Sequence, residues 1–349
     1  MSTLPRRALA ALTALAATTA LAACGTTEVP SSSSASDGGA DAAAISDSCA
    51  EDTTETSTDP VTLTDDLGRT VELEKPAERV AVLEWQQVED ALTLCVAPVA
   101  VADAEGFSTW VTAETLPAGT ADVGTRGEPN LDALAAADPD LIIVEVTGED
   151  DPVVAQLEGL GVPVLATLGA DASDPIGTMK GLFTLIAEAT GRTERAETVL
   201  GEFDDHVAEA TQQVADAGLP TTDFVYFDGW VESGNVSIRP FGEGALFTAL
   251  GEELGLNCVW TEETDPLYGL GQTDIEGLTT VGDANLIYTS TDDPEGNYVT
   301  ELEKNDLWTN LPAVEEGRAH AFPAGIWTFG GPRSSEQAID AYVEILTAP

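Results

Sequence analysis

Residues 193–217 read TERAETVLGEFDDHVAEATQQVADA and follow a break at Gly191-Arg192. Ala196, Val199, Leu200, Phe203, Val207, Ala210, Val214 and Ala217 recur at intervals of three and four, which places them along one face of a single helix. At ~1.5 Å of rise per residue that helix is roughly 37 Å long. With α/β patterning on both sides of it, such a helix works as a stiff strut. The two lobes it joins should move little against each other, and a cleft between them should be largely preformed.

Upstream of the strut, strand-like runs at 79–83, 99–102, 141–146 and 162–166 alternate with helical patterns at 88–94, 131–136 and 153–160. Downstream, strand-like 224–227, 286–290 and 319–322 alternate with helical 245–254 and a helix near Leu307. Gly and Pro loops such as Gly161-Val162-Pro163 connect them, and this alternation reads as βα units with largely parallel sheets. The expected architecture is α/β: two Rossmann-like lobes, 60–192 and 219–349, joined by a single long helix at 193–218.

The N-terminus carries an address. Arg6 and Arg7 precede an uncharged apolar run at 8–23 that ends in Leu21-Ala22-Ala23-Cys24-Gly25, the pattern of a secretory leader, 1–23. The run is too short for a permanent membrane span. Cys24 after Leu-Ala-Ala resembles the bacterial lipobox, which implies cleavage before Cys24, a lipid such as palmitate on its sulfur, and attachment to the outer face of the cell membrane. Residues 24–59 are rich in Ser, Thr, Ala, Gly and Asp, with Val29 and Ile45 as their only large apolar side chains. Such a segment buries too little apolar surface to offset its ordering entropy, so a disordered acidic tether is expected there.

Thirteen Lys and Arg stand against 62 Asp and Glu, a formal net charge of -49. A surface so acidic repels nucleic acid and anionic lipid heads, so nucleic-acid binding is excluded, and a saline exterior would screen the self-repulsion. Of the four cysteines, Cys49, Cys95 and Cys258 remain after Cys24, an odd number for an oxidising compartment. Cys49 could pair with either of the others, and no metal-ligand spacing is present.

His206 and His320 are the only histidines and cannot build a His-rich metal site. Gly-x-Ser-x-Gly, a Walker loop and the dinucleotide glycine pattern are all absent, so no enzyme activity is expected. The scarce cations carry more information. Arg126, Arg239 and Arg333 are read as sitting in Gly- and Pro-flanked loops beside aromatics rather than on helical surfaces, and a planar five-donor guanidinium suits carboxylate, hydroxamate and other anionic oxygens. Trp85, Trp110, Tyr268, Trp327 and Phe329 occupy strand ends and loops, where rings have less core to fill and can wall a binding cleft. Trp230, Trp260 and Trp308 are read as packing residues.

Val82-Leu83-Glu84-Trp85, Ala91-Leu92 and Pro98-Val99-Ala100-Val101-Ala102-Asp103 resemble the opening of the ferric-siderophore substrate-binding proteins of bacterial ABC importers, of the iron-hydroxamate and iron-dicitrate type. Val123-Gly124-Thr125-Arg126-Gly127-Glu128-Pro129-Asn130-Leu131-Asp132, then Pro139-Asp140-Leu141-Ile142-Ile143, are similar to the same family's most recognisable stretch. Leu307-Trp308, Leu311-Pro312-Ala313-Val314, Gly317-Arg318 and Ile326-Trp327-Thr328-Phe329-Gly330-Gly331 complete the pattern, which covers about 60–349. The resemblance implies the class III periplasmic-binding-protein fold and a ferric siderophore, hydroxamate or mixed citrate-hydroxamate, held between the lobes. It implies contacts from Arg126, Trp110, Tyr268 and Trp327, with Phe329 where a tyrosine can occur. It also gives Arg239 and Arg333 the Arg identity of relatives that bind carboxylate-bearing siderophores. No cofactor is expected, since iron arrives already wrapped in oxygens. Partners would be an ABC permease and its ATPase, docked through acidic residues such as Glu149 or Asp150 and Glu252 or Glu253, with the protein itself a monomer. Haem- or cobalamin-binding members of the superfamily, with Tyr268 as a possible haem ligand, and a lipid-anchored sensor or enzyme are the competing readings.

Overall fold

The computed structural model describes residues 45–148, 151–289 and 297–348. The leader, Cys24, Glu149 and Asp150 lie outside them.

The first lobe opens on an antiparallel hairpin, β1 (Val61–Thr64) and β2 (Thr70–Leu73). It continues through β3 (Val80–Val82), α1 (Trp85–Thr93), β4 (Ala100–Val101), α2 (Ala104–Trp110), β5 (Ala121–Asp122), α3 (Leu131–Ala136), β6 (Leu141–Glu145), α4 (Pro152–Glu158) and β7 (Val164–Thr167). Five of these strands form one parallel sheet, ordered β5-β4-β3-β6-β7. Successive side chains alternate between two cores: Val80, Val82 and Ile143 enter one, while Ala81, Ile142 and Val144 enter the other. Both faces are covered, so these strands read as unbroken apolar runs.

α5 (Pro175–Thr190) and α6 (Thr193–Ala217) come next, divided by Gly191. The stripe of α6 serves both lobes. Ala196 and Val199 pack into the first-lobe core, and Phe203, Ala210 and Val214 into the second. α5, which the sequence reading did not separate, does the same, with Leu182, Phe183 and Ile186 on one side and Met179 on the other. The packing therefore does not divide at residue 192.

The second lobe comprises β8 (Asp223–Glu232), β9 (Asn235–Phe241), α7 (Leu246–Glu253), β10 (Asn257–Cys258), β11 (Asn285–Thr289), α8 (Val299–Leu302), α9 (Asp306–Thr309), α10 (Pro312–Glu315), β12 (Ala319–Phe322) and α11 (Pro332–Thr347). β10-β8-β11-β12 is parallel, and β9 returns antiparallel along β8 as a hairpin.

The segment read as tether up to Asp59 requires correction, because its residues 45–59 belong to the fold. Asp47–Glu51 forms a 3-10 turn, Cys49 is bonded to Cys95, and Asp52 pairs with buried Arg192 at the head of α6. Ser48 accepts from Arg195, and the Ser57 N–H donates to the Gly191 carbonyl at 2.8 Å. Composition averaged over the segment does not register a few specific anchors.

α11 supplies a second tie between lobes. The buried Glu89 carboxylate of α1 accepts the Ser334 backbone N–H at 2.8 Å and also its hydroxyl. Gly330 and Gly331 are required here, since a Cβ at either would fall within 3 Å of the Glu89 or Asp90 carboxylate oxygens. Burial pushes Glu89 up to about 7 and the adjacent, fully buried Asp90 well above the ordinary carboxylate range. The folded chain therefore keeps protons near neutral pH that the unfolded chain has released, so stability falls as pH rises from about 5 through 7. Between pH 5.5 and 8 the loss attributable to Glu89 is expected to be about 2 kcal/mol in urea denaturation. Glu89→Gln should flatten that slope; an unaltered slope would clear Glu89 of the effect.

Candidate functional site

Loops at the C-terminal ends of the parallel strands of both lobes face a shared cavity of about 400 Å³, within the usual range for small-molecule sites. On the first-lobe side, the chain leaving β3 supplies Glu84, which caps α1. Its Oε1 accepts the Trp85 N–H at 2.9 Å and Arg126 Nη1 at 2.6 Å. Arg126 stands on the loop between β5 and α3, pinched at its base by the Gly124–Pro129 bridge and closed by Asn130, whose side chain caps α3. Its guanidinium lies over Trp85, 3.8 Å from the ring centroid, and 5.8 Å from that of Trp327. Two ring faces and one carboxylate thus hold the arginine in place before any ligand arrives.

The second lobe contributes Arg239 from β9, whose Nε meets Asp228 Oδ1 of β8 at 2.9 Å while Nη2 meets Oδ2. Tyr268 rides on a tight loop in which the Asp265 carboxylate accepts the N–H groups of Leu267, Tyr268 and Leu270. Gly269 makes that loop possible: its φ is +66°, and a Cβ there would lie 2.5 Å from the Ala245 nitrogen. Trp327 and Phe329 come from the connection into α11. Edge-to-face contacts run from Trp85 to Trp327, then Phe329, then Tyr268, at centroid separations of 4.8, 5.3 and 5.3 Å. The aromatic wall is continuous from one lobe to the other.

One hydrogen bond spans the cleft directly. The Tyr268 hydroxyl donates to Glu145 Oε1, at the end of β6, at 2.6 Å. Burial, with Glu84 nearby, pushes Glu145 up to about 7. Burial and then Glu145 raise the Tyr268 phenol above its ordinary value, so it keeps its proton. Trp327 Nε1 is buried without an acceptor among the described residues.

Comparison with known proteins agrees with this architecture. Residues 80–324 match the model of the family described as periplasmic binding protein. The chain belongs to the periplasmic binding protein family. Among its relatives, the Escherichia coli iron(3+)-hydroxamate-binding protein FhuD is 25% identical over 74% of this chain and 83% of its own. The Bacillus subtilis putative ABC transporter substrate-binding lipoprotein YhfQ is 26% identical over 77% and 82%. The Vibrio cholerae siderophore-binding protein solved with Fe3+-Desferal superposes with a TM-score of 0.66 at 24% identity, covering 78% of this chain and 98% of that one. That likeness establishes the shared class III fold, two α/β lobes with the helix between them.

Of the residues anticipated from the sequence, Arg126, Arg239, Tyr268, Trp327 and Phe329 line this cavity. Trp85, expected to wall the cleft from a strand end, instead opens α1, is 4% exposed and is not among the residues lining the cavity; it supports Arg126. Four further expectations need correction. Arg333 does not reach the cleft: Pro332 starts α11 immediately after the glycines, and Arg333 in its first turn bonds Glu202 of α6 at 2.7 Å and Glu336 at 2.8 Å. Trp110 ends α2, 38% exposed, and is not among the residues lining the cavity, because Phe107 is the side chain this helix buries. Trp230 is no packing residue but stands 40% exposed on the β8–β9 hairpin, whereas Trp260 and Trp308 are buried as expected. Arg239 lies on a strand rather than a loop. Glu252 and Glu253 are exposed at the end of α7.

The sequence reading missed the lining residues Glu84, Gln86 and Glu145, together with Asp228. The signal for Glu145 was a carboxylate closing the buried run Leu141-Ile142-Ile143-Val144, hidden among 62 acidic residues.

Proposed function

We propose that this chain is an extracytoplasmic substrate-binding protein that captures a ferric siderophore, of hydroxamate or mixed citrate-hydroxamate type, and delivers it to an ABC permease and its ATPase. The observation carrying the reading is the cleft itself, with guanidinium groups from both lobes set into one aromatic wall. The names of several relatives, iron(3+)-hydroxamate-binding and Fe(3+)-citrate-binding among them, point to the same ligand class. Among the described residues no group of three or more His, Cys, Asp and Glu could hold a metal ion. A siderophore needs no such group, since its own oxygens fill the coordination sphere of its iron.

In this reading Arg126 and Arg239 donate to ligand oxygens, Trp327 Nε1 adds a third donor, and the rings cover the ligand's apolar backbone. No step of chemistry is asked of the protein. A single chain supplies both walls, which supports a monomer, and a lipid on Cys24 would keep it at the membrane beside its permease. Against the haem reading, the Tyr268 proton is held by Glu145, and its raised phenol disfavours the tyrosinate a haem iron would need.

Trp85 and Trp327 make the cleft its own reporter. Titration of a protein starting at residue 45 should show saturable tryptophan quenching by ferric hydroxamate or ferric citrate-hydroxamate, and none by the iron-free ligands. Quenching by haemin alone, or by nothing, would end the siderophore reading.

A further inference from the structure

The charges lining the cleft carry information beyond ligand class. Both arginines are already matched: Arg126 to Glu84 and Arg239 to Asp228. Glu145 also lines the cavity, and among the described residues it has no ion-pair partner, its one hydrogen bond coming from the neutral Tyr268 hydroxyl. With Asp228 counted as the partner of Arg239 behind the lining, the charges at the cleft therefore sum to zero when Glu145 is protonated and to one negative charge when it is ionised. Around it the whole chain carries a formal charge of -49, a field that concentrates cations and repels anions.

We propose that the cleft selects ferric complexes of net charge zero or +1 over anionic ones, and that Glu145 is the residue that receives a protonated amine on the ligand. The inference rests on the siderophore reading and deepens it. It favours a trihydroxamate, whose three negative groups cancel Fe3+, over a citrate-hydroxamate that keeps free carboxylates. The arginines remain useful to a neutral complex, since a coordinated hydroxamate oxygen still accepts a hydrogen bond, but they supply no surplus positive charge for a polyanion. An ammonium at Glu145 would replace the Tyr268 hydroxyl as its partner with a charge-assisted bond inside a half-buried site. Glu84, Arg126 and Tyr268 are the charged or titratable groups facing Glu145. Because Glu145 titrates near neutrality, its preference for a cation should grow as pH rises from 6 to 8.

The test compares three iron complexes by tryptophan quenching at low salt: ferrioxamine B, with a free ammonium and net charge +1; its N-acetyl derivative, net neutral; and ferric aerobactin, an anionic citrate-hydroxamate. The expected order of affinity is the order given, with ferrioxamine B about tenfold tighter than its acetylated form at pH 8 and less so at pH 6. Glu145→Gln, which can keep a hydrogen bond to Tyr268, should erase that tenfold difference between the two complexes, whatever it does to the affinity they share. Equal binding of the first two complexes, or a preference surviving in Glu145→Gln, would overturn the role of Glu145. Tightest binding of ferric aerobactin would overturn the charge selection while siderophore capture stood. If none of the three bound, both readings would fall.

Discussion

Arg126→Ala is expected to weaken binding of a ferric hydroxamate by about 1.5 to 3 kcal/mol, roughly tenfold to over a hundredfold in Kd. The guanidinium is prepositioned by Glu84 at 2.6 Å and by the Trp85 face, so its donors form charge-assisted bonds without first being ordered. Its removal also leaves Glu84 facing the cavity without a cation, which repels ligand oxygens and adds to the loss. Arg126→Lys should not restore affinity, because an ammonium lacks the planar fork that stacks on Trp85 while bonding two acceptors. Arg333→Ala is the matched control: its partners are Glu202 and Glu336, outside the cleft, and Kd should stay within error of the parent. Isothermal titration of the three variants settles the matter, and an unchanged Kd for Arg126→Ala would remove that residue from the site.

Replacing Cys49 and Cys95 by serine is expected to cost about 4 kcal/mol, the loop-closure value for a bridge spanning 46 residues. The bridge pins residues 45–59 against the end of α1, and the same segment supplies Asp52 to Arg192, whose side chain is only 7% exposed. If the segment detaches, that arginine loses its carboxylate and the head of the interlobe helix is loosened. A second comparison separates the bond from the backbone. Cys95 sits at φ +63°, a region that costs a residue bearing a Cβ about 1 kcal/mol or more. Cys95→Gly should therefore recover about 1 kcal/mol relative to Cys95→Ser. Urea denaturation of both variants, beside the parent with and without reductant, reads the effect. Coincident curves for the parent and the double-serine variant would mean that the bridge does not stabilise the fold.

Much of the site was legible because its residues interrupt local patterns. Arg126, Tyr268, Trp327 and Phe329 are large or charged side chains among glycines and prolines at strand ends, where a packing role is hard to supply. Arg333 shares that context and was misread for a local reason: helix α11 starts one residue before it, turning the side chain toward α6 rather than the cleft. Arg239 was found for its type, but its pairing with Asp228 depends on the register of a hairpin the sequence reading did not separate. The anchored stretch 45–59 was lost to composition, since its three polar anchors and one cysteine look like the rest of the segment before them.

The sequence by itself determined what depends on neighbours along the chain: the βα alternation, the two lobes, and the strut at residues 193–217, whose period of three and four matches the observed helix end to end. Only the tertiary structure decided the partners. Cys49 had two candidate thiols, and each arginine had dozens of carboxylates, so no local pattern could single one out. Glu145 and Tyr268 stand 123 residues apart, and nothing near either in the chain encodes the other. Periodicity reports which face of an element is buried, whereas the charge balance of the cleft arises only when loops from two lobes meet.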